Sequence, residues 1–211
     1  MRTIPSFLRG LLVALALAGS FGAVLAAPIQ HVNLDTRSLA GSTGYIDLYF
    51  SRDAGAPTST VTLSNFVGAF GAEVSRFGGV TGAIPGSVVF GSIDGWNDLF
   101  QAVTFGGALG FDVQFDGDFA LASSTITSLF GIGLINQDKS AYLGADDDLV
   151  QFSLVPMDGQ NPAGVSVAIF GPVAPLASVS AVPEPSDLLL MTTGLSLVGL
   201  MLRRRKRVLA G

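Results

Sequence analysis

The middle of this chain is expected to fold as an all-β, antiparallel sandwich with jelly-roll or Greek-key-like connections. Apolar and polar residues alternate with period two in one stretch after another, as in Phe111-Asp112-Val113-Gln114-Phe115-Asp116. That pattern places one row of side chains on each face of a strand. Turn formers separate the stretches at short intervals, among them Asp53-Ala54-Gly55-Ala56-Pro57, Ile84-Pro85-Gly86, Asp116-Gly117-Asp118 and Met157-Asp158-Gly159-Gln160-Asn161-Pro162, as all-β folds require. No apolar stripe of helical period interrupts them. Cysteine is absent, so the core and not a disulfide must supply the stability.

From the amino terminus, Arg2 and Arg9 precede an apolar stretch, Leu11–Leu25, that ends in Val24-Leu25-Ala26. Basic, apolar and small-residue regions in that order predict a secretory signal peptide over residues 1–26, cut after Ala26. The body, residues 27–181, has the length of one domain. Strands are expected at Gly44–Phe50, Thr60–Ser64, Ser87–Phe90, Leu99–Phe105, Phe111–Asp116, Ile126–Ile135, Val150–Leu154, Val165–Ile169 and Ala174–Ser180. Phe50, Phe66, Phe90, Phe100, Phe105, Phe111, Phe115, Phe130 and Phe152 fall on or beside them and are expected in the core, each ring burying about 150–250 Å². Phe70-Gly71, Phe77-Gly78 and Phe105-Gly106 recur without a fixed period, which excludes a solenoid and suggests strands ending in tight turns.

Beyond the body, residues 182–207 form three consecutive parts. Pro183-Glu184-Pro185 lies in the recognition segment 182–187, and proline on both sides keeps it extended and accessible. Leu188–Leu202 is an uncharged run expected to form a transmembrane helix of roughly 22 Å at ~1.5 Å per residue, shorter than the ~30 Å hydrocarbon core. Arg203, Arg204, Arg205, Lys206 and Arg207 then act as a topology stop that prefers the cytoplasmic side. A permanent carboxyl-terminal anchor is the simpler reading of such a segment.

The ordered tripeptide, apolar run and basic stop resemble the PEP-CTERM sorting signal of Gram-negative bacteria. That resemblance implies recognition by exosortase, a membrane-embedded cysteine transpeptidase-like enzyme, after passage through the secretion translocon. It also implies that Pro183, Glu184 and Pro185 are substrate residues. The precursor would sit transiently in the inner membrane before release to the cell surface or a polysaccharide biofilm matrix. Gly44-Tyr45-Ile46-Asp47, Asn97-Asp98-Leu99-Phe100-Gln101 and Phe111-Asp112-Val113 are similar to cues in the globular part of a small group of such proteins, which supplies no activity to carry over.

Charge narrows the partners. The body holds Arg37, Arg52, Arg76 and Lys139 against thirteen Asp and Glu73, a formal charge of −10, because seven of the eleven basic residues lie in the two terminal segments. An acidic, lysine-poor body argues against nucleic acid as a partner.

Asp146-Asp147-Asp148 is the densest charge run. It reads first as a solvated loop. The second reading is a Ca²⁺ site, since hard cations take carboxylate and carbonyl oxygens, with Asp116 and Asp118 as further ligands. Trp96, the only tryptophan, is expected in a polar turn, anchoring a loop or stacking on a sugar ring of an extracellular polysaccharide. Tyr45, Tyr49 and Tyr142 carry the same two readings. Catalysis has few parts to draw on: His31 is the only histidine, in a segment expected to be mobile, and no serine sits in a Gly-x-Ser-x-Gly elbow. No resident cofactor and no enzyme activity are expected; a structural or adhesive matrix protein is.

Overall fold

The computed structural model describes residues 29–91, 95–160, 162–171, 176–182 and 192–196. Ala26, Pro183-Glu184-Pro185 and the expected basic stop 203–207 lie outside the described residues. Of the apolar run only 192–196 are described, and they are helical. No helix among the described residues is long and apolar enough to cross a membrane.

Twelve strands form the body: β1 (Gln30–Asp35), β2 (Thr43–Arg52), β3 (Thr60–Val67), β4 (Phe70–Phe77), β5 (Val80–Gly82), β6 (Val88–Phe90), β7 (Gly95–Thr104), β8 (Ala108–Asp116), β9 (Ser128–Asn136), β10 (Val150–Val155), β11 (Gly164–Ile169) and β12 (Ala177–Ala181). They build two antiparallel six-stranded sheets. Sheet I has the order β12-β1-β8-β3-β6-β5 and sheet II the order β11-β10-β9-β2-β7-β4. The chain changes sheet at each of its first four connections, the crossover habit of Greek-key and jelly-roll sandwiches.

The inner faces carry the alternation read from the sequence. Val32 and Leu34, Val61 and Leu63, and Leu109, Phe111, Val113 and Phe115 point inward from sheet I. Ile46, Leu48 and Phe50, Phe130, Ile132 and Leu134, and Val150, Phe152 and Leu154 answer from sheet II. Phe130 sits at the middle, with ring centroids 5.5 Å from Phe90, 6.4 Å from Phe115 and 6.2 Å from Phe152. Each such ring removed from water stabilises the fold by about 1.5–3 kcal/mol.

Three strands escape the sequence pattern. β1 lies between β12 and β8, so His31 is part of the sheet and not of a mobile segment. β5 has only three residues. β4 is an edge strand, almost wholly exposed, and its pairing with β7 is broken twice by register shifts. Without a buried face, period two leaves no apolar trace there. The Phe-Gly reading holds at Phe77, where β4 ends and Gly78 takes φ 72°.

Candidate functional site

β7 mixes two amides with the apolar Leu99 and Val103 on its buried face. Asn97 and Gln101 point into the molecule and are buried, while Trp96, Asp98 and Phe100 point out. The inward amides are not wasted. Asn97 Nδ2 donates to the Phe50 carbonyl at 3.2 Å, its Oδ1 accepts from the Gly79 amide at 2.7 Å, and Gln101 Nε2 donates to the Gly71 carbonyl at 2.5 Å. They satisfy backbone groups of β2 and of the irregular β4 edge, as buried polar atoms must be satisfied. Phe100, expected in the core, is therefore outside. Trp96, expected in a turn, lies in the strand and is 47% exposed.

The outer side of the strand pair carries aromatic and acidic residues in turn. On β2, Tyr45, Asp47 and Tyr49 alternate with the core residues Ile46 and Leu48. Tyr45 lies opposite Ala102, Asp47 opposite Phe100 and Tyr49 opposite Asp98. Each side chain leans diagonally to the residue two positions before its opposite number, a reach that rings and long side chains can make. Tyr45 stacks on Phe100 with centroids 4.8 Å apart. Asp47 hydrogen-bonds Asp98. Tyr49 stacks on Trp96 with centroids 4.1 Å apart and planes 15° from parallel. The outcome is a ladder of three rungs, aromatic, carboxyl and aromatic, about 13 Å long at ~3.3 Å per residue.

Next to the ladder, β9 presents backbone alone. Gly133 pairs with Asp47 and Gly131 with Tyr49. A Cβ on Gly131 would collide with the Tyr49 ring, and one on Gly133 would come within 3.1 Å of Tyr142. The glycines thus make a trough into which Tyr49 and the loop after β9 settle. That loop brings Asp148, which is 3% exposed. Asp148 Oδ2 accepts from Tyr49 Oη at 2.5 Å and from Gln151 Nε2 at 2.8 Å. An open pocket of about 840 Å³, bounded in part by Asp146, Asp147, Asp148, Gln151 and Phe170, continues from this side.

Electrostatics follow from crowding. Burial raises the Asp47 carboxyl pKa to about 8, helped by the bond to Asp98 and by the charges of Asp98, Asp148 and Asp147. Its Oδ1 is buried without a partner, which is less costly on a neutral acid than on a carboxylate. Crowding thus favours the neutral form of Asp47 beside Asp98. Burial also raises Asp148, against the opposing pull of its bonds from Tyr49 and Gln151. Tyr49 and Tyr142 are raised by burial first and then by these carboxylates.

The acidic run divides. Asp148 turns inward, whereas Asp146 and Asp147 are exposed. Asp118 accepts from Thr58 Oγ1 at 2.5 Å and Asp116 from the Gly117 amide at 2.7 Å. Among the described residues no three of His, Asp and Glu are grouped to hold a metal ion. His31 lies on sheet I, its Nδ1 2.6 Å from Asp112 Oδ1, with Asn65 Nδ2 donating to Asp112 Oδ2 at 2.7 Å.

Sequence reasoning singled out Trp96 and the tyrosines but not their assembly. The signal was present as two mirrored stretches, Tyr45-Ile46-Asp47-Leu48-Tyr49 and Trp96-Asn97-Asp98-Leu99-Phe100. Each is aromatic, acid, aromatic at alternate positions, which strands place on one face. Comparison with protein-family models, with curated proteins and with solved structures finds no match for this chain.

Proposed function

We propose that this chain is an exported protein of the cell surface or polysaccharide matrix, freed from the inner membrane by exosortase, and that its sandwich adheres to glycan. The observation that carries the adhesive part is the outward ladder of Tyr45–Phe100, Asp47–Asp98 and Tyr49–Trp96. The indole of Trp96, 47% exposed over the buried Tyr49, offers flat apolar surface to the C–H face of a sugar, and carboxyls beside it accept hydroxyls. Binding rather than turnover fits the spacing. The carboxyls of glycoside hydrolases stand about 5–9.5 Å apart to admit sugar and water, whereas Asp47 and Asp98 bond to each other. The sole histidine belongs to the opposite sheet.

Passage of the full-length chain over the host's immobilised polysaccharide tests adhesion: retention lost in Trp96→Ala supports it, and undiminished retention refutes the ladder's role. The destination rests on Pro183-Glu184-Pro185 and Arg203–Arg207. Intact mass of protein collected outside the cell is expected to lack the tail. Glu184→Ala is expected to leave precursor in the inner membrane, and its normal release would refute processing at that tripeptide.

A further inference from the structure

The two aromatic rungs are built on the same diagonal, and the molecule seats a cation of its own on one of them. Lys139 Nζ lies 4.9 Å from the Tyr45 ring centroid and 5.0 Å from that of Phe100. The turn that delivers it is tied down: Ser140 N donates to Asn136 Oδ1 at 2.9 Å, Ser140 Oγ donates to Asp138 at 2.8 Å, and Lys139 N donates to the Asn136 carbonyl at 3.1 Å. An ammonium over a ring within about 6 Å of its centroid is attracted by the negative π face. Lys139 thus marks what this surface favours.

Resting on the glycan reading above, we infer that the exposed indole of the twin rung, Trp96 backed by the buried Tyr49, seats the ammonium of an amino sugar, so that the ligand is a glycan bearing unacetylated amines. Tyr49 and Trp96 repeat the arrangement of Tyr45 and Phe100 four residues along each strand, with Tyr49 9% and Trp96 47% exposed. Indole is also the best of the aromatic faces for a cation. The field has the right sign. Asp98 stands between the two aromatic rungs on β7, and the charges of Asp147 and Asp148 bear on Tyr49. A glycan acid would meet these carboxylates and a body of charge −10; a neutral sugar would gain the stack without the charge.

Three oligosaccharides of one backbone separate the outcomes: chitosan, chitin and cellulose fragments differ in bearing an amine, an acetamide or a hydroxyl at one ring carbon. Calorimetric titration into the purified full-length chain, in buffer that keeps the amine protonated, is expected to give chitosan fragments about tenfold the affinity of the other two. Trp96→Ala is expected to remove that preference and Trp96→Phe to keep part of it. Equal or tighter binding of chitin or cellulose fragments, still dependent on Trp96, overturns the amine preference and leaves glycan adhesion standing. Chitosan binding that survives Trp96→Ala reflects diffuse attraction to an acidic surface and overturns the inference. Binding of none of the three overturns both. Unchanged melting of each variant against the parent excludes unfolding as the cause.

Discussion

The outer faces of the two sheets rest on the same core and are made of different chemistry. Sheet I turns His31, Asn33, Thr62, Ser64, Asp112 and Gln114 to the solvent, and the pairs among them are satisfied, as in His31–Asp112–Asn65. Sheet II sets Tyr45, Phe100 and Trp96 on its outer side, Trp96 over the buried Tyr49, with acids between them that crowd one another. Sheet I shows that an outer face of this sandwich needs neither rings nor frustrated carboxyls. Their presence on sheet II, with Asn97 and Gln101 pushed into the core beneath, departs from what folding alone selects. Such departures concentrate where a protein does something other than fold.

The strongest way to break that contrast is to remove the crowded acid. An acid whose folded pKa lies near 8, against 3.8 ordinarily, costs the fold nothing below about pH 4. It costs increasingly as pH rises and the full amount above about pH 8. Asp47→Asn should therefore match the parent near pH 4 and exceed it in alkali. The gain should be a few kcal/mol, at about 1.4 kcal/mol per unit of pKa. Asp112→Asn on sheet I is the comparison, since it changes a carboxylate with two donors, His31 Nδ1 and Asn65 Nδ2, and not a crowded acid. Denaturant midpoints across pH measure both, and parallel profiles would show the two faces to be electrostatically equivalent.

A smaller effect separates the glycines. On sheet II, Gly131→Ala drives a methyl into the Tyr49 ring and is expected to cost about 1–3 kcal/mol, as overpacking does. It should also unstack Trp96 and change its fluorescence. On sheet I, Gly110 would meet the His31 ring at 3.6 Å, ordinary contact, so Gly110→Ala should stay within about 0.5 kcal/mol of the parent. Equal melting of the two variants would show the trough to be slack.

How much of this was legible follows from what each residue has to bury. Strands with one dry face, such as β8 and β10, announced themselves because Phe111, Val113 and Phe115, or Val150, Phe152 and Leu154, alternate with polar neighbours. β4 buries almost nothing and β5 is too short to show a period. Phe100 misled because hydrophobicity alone does not distinguish an inward from an outward ring. The buried set Asn97, Leu99, Gln101 and Val103 fixes the parity of β7, and two of its members are amides claimed by backbone groups. Asp47 and Asp98 are fifty-one positions apart in the sequence, and their meeting depends on the β2–β7 register, which no local pattern specifies.

The smallest expected effect is the most discriminating. Trp96 is half exposed and its stack on Tyr49 contributes about 0.5–1.5 kcal/mol beyond burial, so Trp96→Ala should lower stability by about that amount. His31→Ala, which breaks the partly buried pair with Asp112, should cost about 1 kcal/mol. Thermal melts would then place the two variants side by side, while glycan retention should fall in the first and persist in the second. Were both to retain glycan alike, the rings of sheet II would be surface without a task, and their burial cost to Asn97 and Gln101 would need another explanation.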